Sequence, residues 1–410
     1  MSSRYKSLPG LVSCLLCLLL AVCANPVFAQ VMQTAEDSEA WLVTYGPGEI
    51  YWQRFGHNAI WIRDPGLGLD HVFNFGFFDF RQQDFFLRFL QGRMLYFSAA
   101  RPAREEFAEY IDENRSIRAQ KLDLSAQQKL RLVEYLVQEV RPENRDYLYD
   151  YYDNNCSTRV RDAIDGVLGG VLKAEFNPIP AGQSLRDHTR RLTAADTWLY
   201  LGLQLGLGPR VDRQVSRWDE MFVPGELAQA VETAEFTGAG MPRPLVLEDV
   251  VLFQSTLEPP PASPRTLWPG YLLGSLGVVL AAWLLCHFTP RTVARRLSRS
   301  WLVLSGLVGV VLTYLWLGTD HAVSAMNLNL LVFSPLWLVL AFWKRGEKAT
   351  LLIIAGLSVL ALLMTLLPPH QYTLDVLAAF LPINLAAGLG LFKSRIQPAG
   401  QPGVPVSADR

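Results

Sequence analysis

Apolar and polar residues fall into three regimes along the chain. Near the amino end, Arg4 and Lys6 precede an apolar run from Leu8 to about Val22. From about residue 30 to 258 polar and apolar positions interleave, and from 266 to 393 apolar residues dominate, broken only by short charged stretches. In the interleaved part, Leu42-Val43-Thr44-Tyr45-Gly46 reads as a short strand followed by a Pro-Gly turn. Phe55 to Arg63 is strand-like, rich in β-branched and aromatic residues, and Val72 to Phe78 is a second strand after the turn at 64–68. The two resemble a hairpin with a long loop. Residues 84–91 and 102–112 read as helical, and Ala119 to Asp123 as a third short strand. Ser125 caps a helix running through Glu139, with Leu132, Val133, Leu136 and Val140 on one side. A further helix places Val160, Ile164, Val167 and Leu168 on one face. The mixture predicts an α+β domain.

Pro259-Pro260-Pro261-Ala262-Ser263-Pro264 is a stiff linker. Five apolar segments follow, at roughly 269–288, 301–318, 326–343, 349–367 and 373–392, each about long enough for a membrane-crossing helix. Their connections carry charge unevenly. The first has Arg291, Arg295, Arg296 and Arg299, the third Lys344, Arg345 and Lys348, and the tail Lys393 and Arg395. The second, at Thr319-Asp320-His321, and the fourth, at Pro368-Pro369-His370, have no Lys or Arg. The positive-inside rule puts the basic loops in the cytoplasm and the linker, with the soluble domain, outside. Trp268, Trp301, Trp316 and Trp343 fall at the expected interfaces. No charge pair and no inverted repeat is read within the five segments, which favours an anchor and lipid-access platform over a transporter.

Composition sharpens this division. Half of the 410 residues are hydrophobic and only 18% are charged, which excludes a disordered chain or a coiled coil. A net charge of -1 gives no footprint for nucleic acid. The charged start, apolar run and small residues Val27 and Ala29 make a secretory signal with cleavage before Gln30; an uncleaved anchor is the alternative. The chain then divides into a signal peptide at 1–29, a soluble domain at 30–258, a Pro-rich linker at 259–265, a membrane domain of about five helices at 266–393 and a tail at 394–410. Of five cysteines, Cys14, Cys17 and Cys23 lie in the signal and Cys286 in an apolar helix. The exported domain keeps Cys156 alone, so no internal disulfide is expected there.

Cys156 falls in the first turn of a helix, after Asn154 or Asn155 as N-cap. Unpaired backbone N–H groups and the helix dipole are expected to lower the pKa of a thiol there, and could bind a developing oxyanion. His57, at the start of a strand, is the candidate base. Asn74 and His71 on the neighbouring strand are the options for orienting its ring. Inert alternatives exist for both partners, a packed cysteine and a structural histidine. The polar flanks Asp153-Asn154-Asn155 and Ser157-Thr158-Arg159 are unusual for a core cysteine, and favour chemistry. No cysteine-histidine cluster suggests a metal, and no cofactor is expected.

Three segments then resemble a known family: Phe55-Gly56-His57-Asn58-Ala59, Phe73-Asn74-Phe75-Gly76-Phe77-Phe78-Asp79-Phe80, and Asp153-Asn154-Asn155-Cys156-Ser157-Thr158-Arg159-Val160-Arg161-Asp162. They are similar to the periplasmic domain of Lnb-type bacterial lipoprotein N-acyltransferases. Met221-Phe222-Val223-Pro224 and the membrane segment Asn327-Leu328-Asn329-Leu330-Leu331 fit the same family. The order of histidine strand, second strand and Asn-Cys opening a helix also resembles, more distantly, the permuted papain-like fold of NlpC-type hydrolases and lecithin retinol acyltransferase. In the latter type a second histidine holds the third position; here Asn74 sits nearer that place than His71. The resemblance implies a bacterial inner-membrane enzyme whose soluble domain faces the periplasm. Its acyl donor would be a phospholipid and its acceptor the α-amine of a lipoprotein's lipidated N-terminal cysteine. A cell-wall peptidase or amidase with the same Cys-His pair, and a non-catalytic membrane scaffold, are the alternatives. The topology is testable with reporter fusions: one after Lys393 should read cytoplasmic and one near Glu258 periplasmic, and the reverse pattern would place the lipid substrates across the membrane from the site.

Overall fold

A computed structural model of the chain describes residues 37–66, 68–238, 241–342, 347–365 and 371–396. The signal at 1–29, Leu67, Trp343, Lys344, Arg345, the loop at 368–370 and the tail beyond 396 lie outside the described residues. Packing divides the chain into two compact units. Among the described residues one falls within 1–79, 95–179 and 216–258, the other within 80–94, 180–215 and 259–410.

The first unit is built on an antiparallel sheet. Its strands are β1 (Glu39–Tyr45), β2 (His57–Asp64), β3 (Leu69–Phe77), β4 (Leu95–Pro102), β5 (Ile117–Leu122), β6 (Asp146–Leu148) and β9 (Val246–Phe253). A separate ribbon pairs β7 (Glu235–Gly238) with β8 (Met241–Pro244). The sheet order is β6-β4-β3-β2-β1-β5-β9. Successive side chains of a strand point to opposite faces, so register decides which residues meet. Tyr45 lies opposite His57 and Asn74 opposite Ala59, so these four share one face. That face packs Val43, Tyr45, Ala59, Val72 and Ile117 under Ala103 of the helix Ala103–Asp112. On the other face Leu42, Ile60, Ile62, Phe73 and Phe75 pack against Val160, Ile164 and Leu168 of the helix Cys156–Leu168, and against Leu132 and Leu136.

The predicted hairpin, the helix after Ser125 and the cysteine helix all form. Ser125 makes a full capping box with Gln128. β4 was not marked by the pattern, because Leu95-Tyr96-Phe97-Ser98-Ala99-Ala100-Arg101-Pro102 lacks clean alternation; pairing along β3 fixes it as a strand.

The second unit contains the helices Trp268–Phe288, Arg291–Leu317, Glu347–Met364 and Leu374–Ile396. Among the described residues only Trp268–Phe288 and Thr292–Leu317 are long and apolar enough, by length and composition, to cross a membrane. The first connection is not a loop: its arginines begin the helix Arg291–Leu317. The third expected segment is not one helix. It runs through a 3-10 turn at Leu328–Leu331 and resumes as Leu336–Phe342. Pro335 supplies no backbone N–H, which favours the break. Carbonyls freed by irregular backbone need donors in an apolar surrounding. Asn384 Nδ2 donates to the Val332 carbonyl at 3.1 Å, while its Oδ1 accepts from Trp301 and Ser305. Asn327 and Asn329 donate to the carbonyls of residues 204–206, at the end of the helix Thr197–Gly206.

The stretch 180–215 is thus tied into this unit by hydrogen bonds. Arg186, fully buried, bonds Asp212 at 2.7 Å and Gln204 at 3.1 Å. A buried charge does occur within the fifth expected segment: Asp375 accepts a hydrogen bond from Tyr200 at 2.5 Å and lies 3.9 Å from Arg190. The pattern along one segment could not reveal that pair, since its cation comes from 180–215.

Ile164 is fully buried in the core of the first unit. Ile164→Ala should destabilise that unit by about 2–5 kcal/mol, read as a loss of hydrogen-exchange protection in the sheet. No loss would mean the cysteine helix packs elsewhere.

Candidate active site

The site is assembled from three local structures. The first is the start of the helix Cys156–Leu168. Of the two candidate caps, Asn155 takes the role. Its side chain accepts from Thr158 N at 2.9 Å, and Thr158 Oγ1 accepts from Asn155 N at 2.8 Å. Asn155 Nδ2 also donates to the carbonyls of Tyr151 and Phe222, each at 2.9 Å. Ser157 Oγ donates to the Met221 carbonyl at 2.6 Å. The segment Met221-Phe222-Val223-Pro224 therefore pins the helix start from outside. Gly76, with φ +93°, lies beneath it; a Cβ there would approach the Cys156 Cβ to 3.5 Å, in a backbone conformation that L side chains avoid.

The second local structure is the end of the sheet that holds His57 and Asn74. His57 Nε2 lies 2.9 Å from Asn74 Oδ1. Asn74 Nδ2 is committed elsewhere, donating to Glu106 Oε2 at 2.7 Å and to the Val72 carbonyl at 3.3 Å. An amide so oriented presents only its oxygen to the imidazole. His57 must then carry its proton on Nε2, leaving the Nδ1 lone pair free to accept a proton. Of the two options for the third residue, the structure brings Asn74 to His57. His71 pairs with Ile62 and so lies on the opposite face of the sheet, with a buried Nδ1.

The third is the helix Ala103–Asp112, which covers the Asn74 face. Glu106, fully buried, accepts from Asn74 and from Tyr45 Oη at 2.5 Å. The Tyr45 ring stacks on Tyr110 with centroids 3.5 Å apart and lies 5.9 Å from the His57 ring. Arg115 sits over Tyr110 at 4.5 Å. Sequence reasoning passed over Glu106. Its signal is a carboxylate in the stripe of Ala103, Phe107 and Tyr110, which is the apolar face of that helix.

The electrostatics correct one expectation. The Cys156 sulfur faces the backbone N–H groups of Asn58, Ser157 and Cys156 itself, as a helix start should provide. Burial nonetheless outweighs them, and the thiol is pushed above its ordinary value rather than below it. Burial also lowers His57, to about 4, despite the Asn74 bond; the Arg115 charge adds to the depression. At neutral pH the resting pair is a thiol and a neutral imidazole. Burial raises Glu106 to about 7, against the bonds from Tyr45 and Asn74. Among the described residues no group of three His, Cys, Asp or Glu side chains could hold a metal ion.

Residues 32–192 match the Lnb N-terminal periplasmic domain, and 263–394 match the Lnb transmembrane domain. The first match spans His57, Asn74, Glu106 and Cys156, and the two together take in more than two thirds of the chain. No curated protein and no solved structure matches.

A carboxyl whose pKa is raised in the folded state contributes most to stability while it stays protonated. The Glu106 contribution should be complete below about 4.5 and lost as pH rises through about 7. Against Glu106→Gln, which does not titrate, the full chain should lose on the order of 3 kcal/mol of stability across that window. Unfolding in detergent at a series of pH values measures it. A stability difference independent of pH would mean the carboxyl keeps its ordinary pKa.

Proposed function

The chain belongs to the Lnb family, and from that premise we propose that it transfers a fatty acyl group from a phospholipid, through a thioester on Cys156, to the N-terminal amine of a bacterial lipoprotein. The soluble part acts in the periplasm as a permuted papain-like thiol domain, and the membrane part holds it at the inner membrane, where both lipid substrates reside. The transfer requires no cofactor.

The observation that carries this reading is an imidazole held by Asn74 and, on the next residue of the same strand, a backbone N–H that faces the helix-start cysteine. His57 is held through Nε2 by Asn74, and the Cys156 sulfur meets the N–H of Asn58, the next residue after His57. Because thiol and imidazole are both neutral, the proton leaves sulfur as the carbon–sulfur bond forms. His57 Nδ1 takes that proton while the sulfur attacks the ester carbonyl of the phospholipid. Backbone N–H groups at the helix start stabilise the tetrahedral oxyanion. The ester C–O bond then breaks, His57 returns the proton to the departing oxygen, and a lysophospholipid leaves. In the second half the lipoprotein amine attacks the thioester and gives its proton to His57. The C–S bond breaks, and sulfur regains a proton from the imidazolium.

Asn74 and Glu106 are positioning residues: Asn74 selects the imidazole tautomer, and Glu106 selects the rotamer of Asn74. A wall hydrolase would use the same pair but has no call on a transmembrane domain.

Incubation with phospholipid alone should add one acyl mass to the peptide carrying Cys156, removable by hydroxylamine. Cys156→Ser and His57→Ala should each lower transfer by roughly two to four orders of magnitude, with insertion and folding retained. Asn74→Ala should cost less. Full activity in Cys156→Ser, or an acyl mass on another residue, would leave the scaffold reading in front.

A further inference from the structure

We infer that the excursion Phe80–Met94 is a membrane-docking element that seats its aromatic face in the outward-facing lipid surface. It leaves the sheet after β3 and returns at β4, yet packs with the membrane unit. Its helix, Phe85–Gln91, is Phe-Phe-Leu-Arg-Phe-Leu-Gln. A helix that short in a soluble protein would bury its apolar side chains. Here Phe86 is 74% exposed, Leu87 51%, Phe89 45% and Leu90 46%, and Phe80 beside them is 48% exposed. The aromatic rings are mutually ordered: Phe85 stands edge-on to both Phe80 and Phe86, at 5.1 and 5.4 Å. The patch is thus a built surface and not a scatter of single residues.

The bonds that hold the helix identify its occupant. At its C-terminal end the Phe89 carbonyl accepts from Gly92 N at 3.1 Å, and it and the Gln91 carbonyl also take donors from outside the helix. Those donors come from the connection that follows the membrane helix Arg291–Leu317. His321 Nε2 donates to the Phe89 carbonyl at 2.9 Å, Asp320 N donates to the Gln91 carbonyl at 2.8 Å, and Arg93 Nε donates to Asp320 at 2.6 Å. Gly92, with φ +75°, closes the helix; a Cβ there would stand 2.8 Å from His321 N, so only glycine allows this approach. The clamp sits where the apolar surface of the membrane helix ends, with Trp316 40% and Leu317 72% exposed.

The exposed face of Phe85–Gln91 continues that lipid-facing surface. The connection 319–321, free of Lys and Arg, is on the outward side by the charge rule. An aromatic and leucine face with a basic residue in the same turn, Arg88, is the chemistry of a helix lying in the headgroup boundary. The occupant is therefore acyl chain and headgroup, not a second protein. This inference does not depend on acyl transfer.

The test uses the full chain in phospholipid nanodiscs with its own cysteines replaced, so the readout needs no turnover. A bimane label is placed by Phe86→Cys, independently by Leu90→Cys, and at the exposed control Glu143→Cys in the sheet unit. Labels at 86 and 90 should emit to the blue and be quenched about threefold more than the control by phosphatidylcholine carrying a nitroxide high on its acyl chain. Iodide should quench them less than the control. Iodide quenching equal to the control would overturn the inference, leaving the face in water. Protection from both quenchers would also overturn it, in favour of a protein cover.

Discussion

The bond between His57 Nε2 and Asn74 Oδ1 can form only if an amide that could point either way is turned from behind. Glu106 does the turning, because its two oxygens accept, one from Asn74 Nδ2 and the other from Tyr45 Oη. Everything upstream serves that alignment. The β2–β3 register puts Asn74 on the face of His57, and a slip of one residue would send it to the face that now carries His71. Docking of the helix Ala103–Asp112 brings Glu106 down onto that face, and Tyr45 occupies its other oxygen. The imidazole tautomer is thus a consequence of strand register and helix packing.

Dryness has a second consequence. A cysteine at a helix start is commonly an exposed thiolate, because the dipole and unpaired N–H groups stabilise charge. At Cys156 the same donors are present, but the surrounding protein removes more hydration than they replace. With His57 also held neutral, neither group carries charge at neutral pH. In an oxidising compartment this protects a lone thiol, since oxidation attacks the thiolate far faster than the thiol. The barrier to charge separation is the counterpart of that protection, and the proposed proton transfer to Nδ1 avoids it by moving the proton as the new bond forms.

The elements around the site were legible to different depths. The β2–β3 hairpin and the helices at 102–112, 126–139 and 156–168 could be read from period and capping, because each buries one clean face. Cys156, His57 and Asn74 stood out by residue type and flanks. Glu106 did not, because its partners Asn74 and Tyr45 are 32 and 61 residues away and only sheet register unites them. The sign of the thiol shift was illegible for a similar reason: dipole is local and desolvation is not. In the membrane unit, hydropathy marked the apolar segments but not the break at 328–336, since Asn, Ser and Pro lower an average only slightly. Nor could it assign 80–94 and 180–215 to that unit, because attachments such as Arg93 to Asp320 and Asn327 to Leu205 join residues more than a hundred positions apart.

The buried ones among those bonds obey the rule that orders the face of His57 and Asn74. A backbone carbonyl or a carboxyl away from water must find a donor, and the donor is an amide, a hydroxyl or a guanidinium placed by another element. Asn327 and Asn329, within the segment that resembles the family's membrane half, serve the carbonyls of 204–206, and Asn74 serves an imidazole. The same residue type faces a carbonyl in one unit and an imidazole in the other, and the partner separates the two. A carbonyl has no proton to give up, so an asparagine facing it can only hold. An imidazole has two nitrogens, so an asparagine that fixes one decides what the other can do.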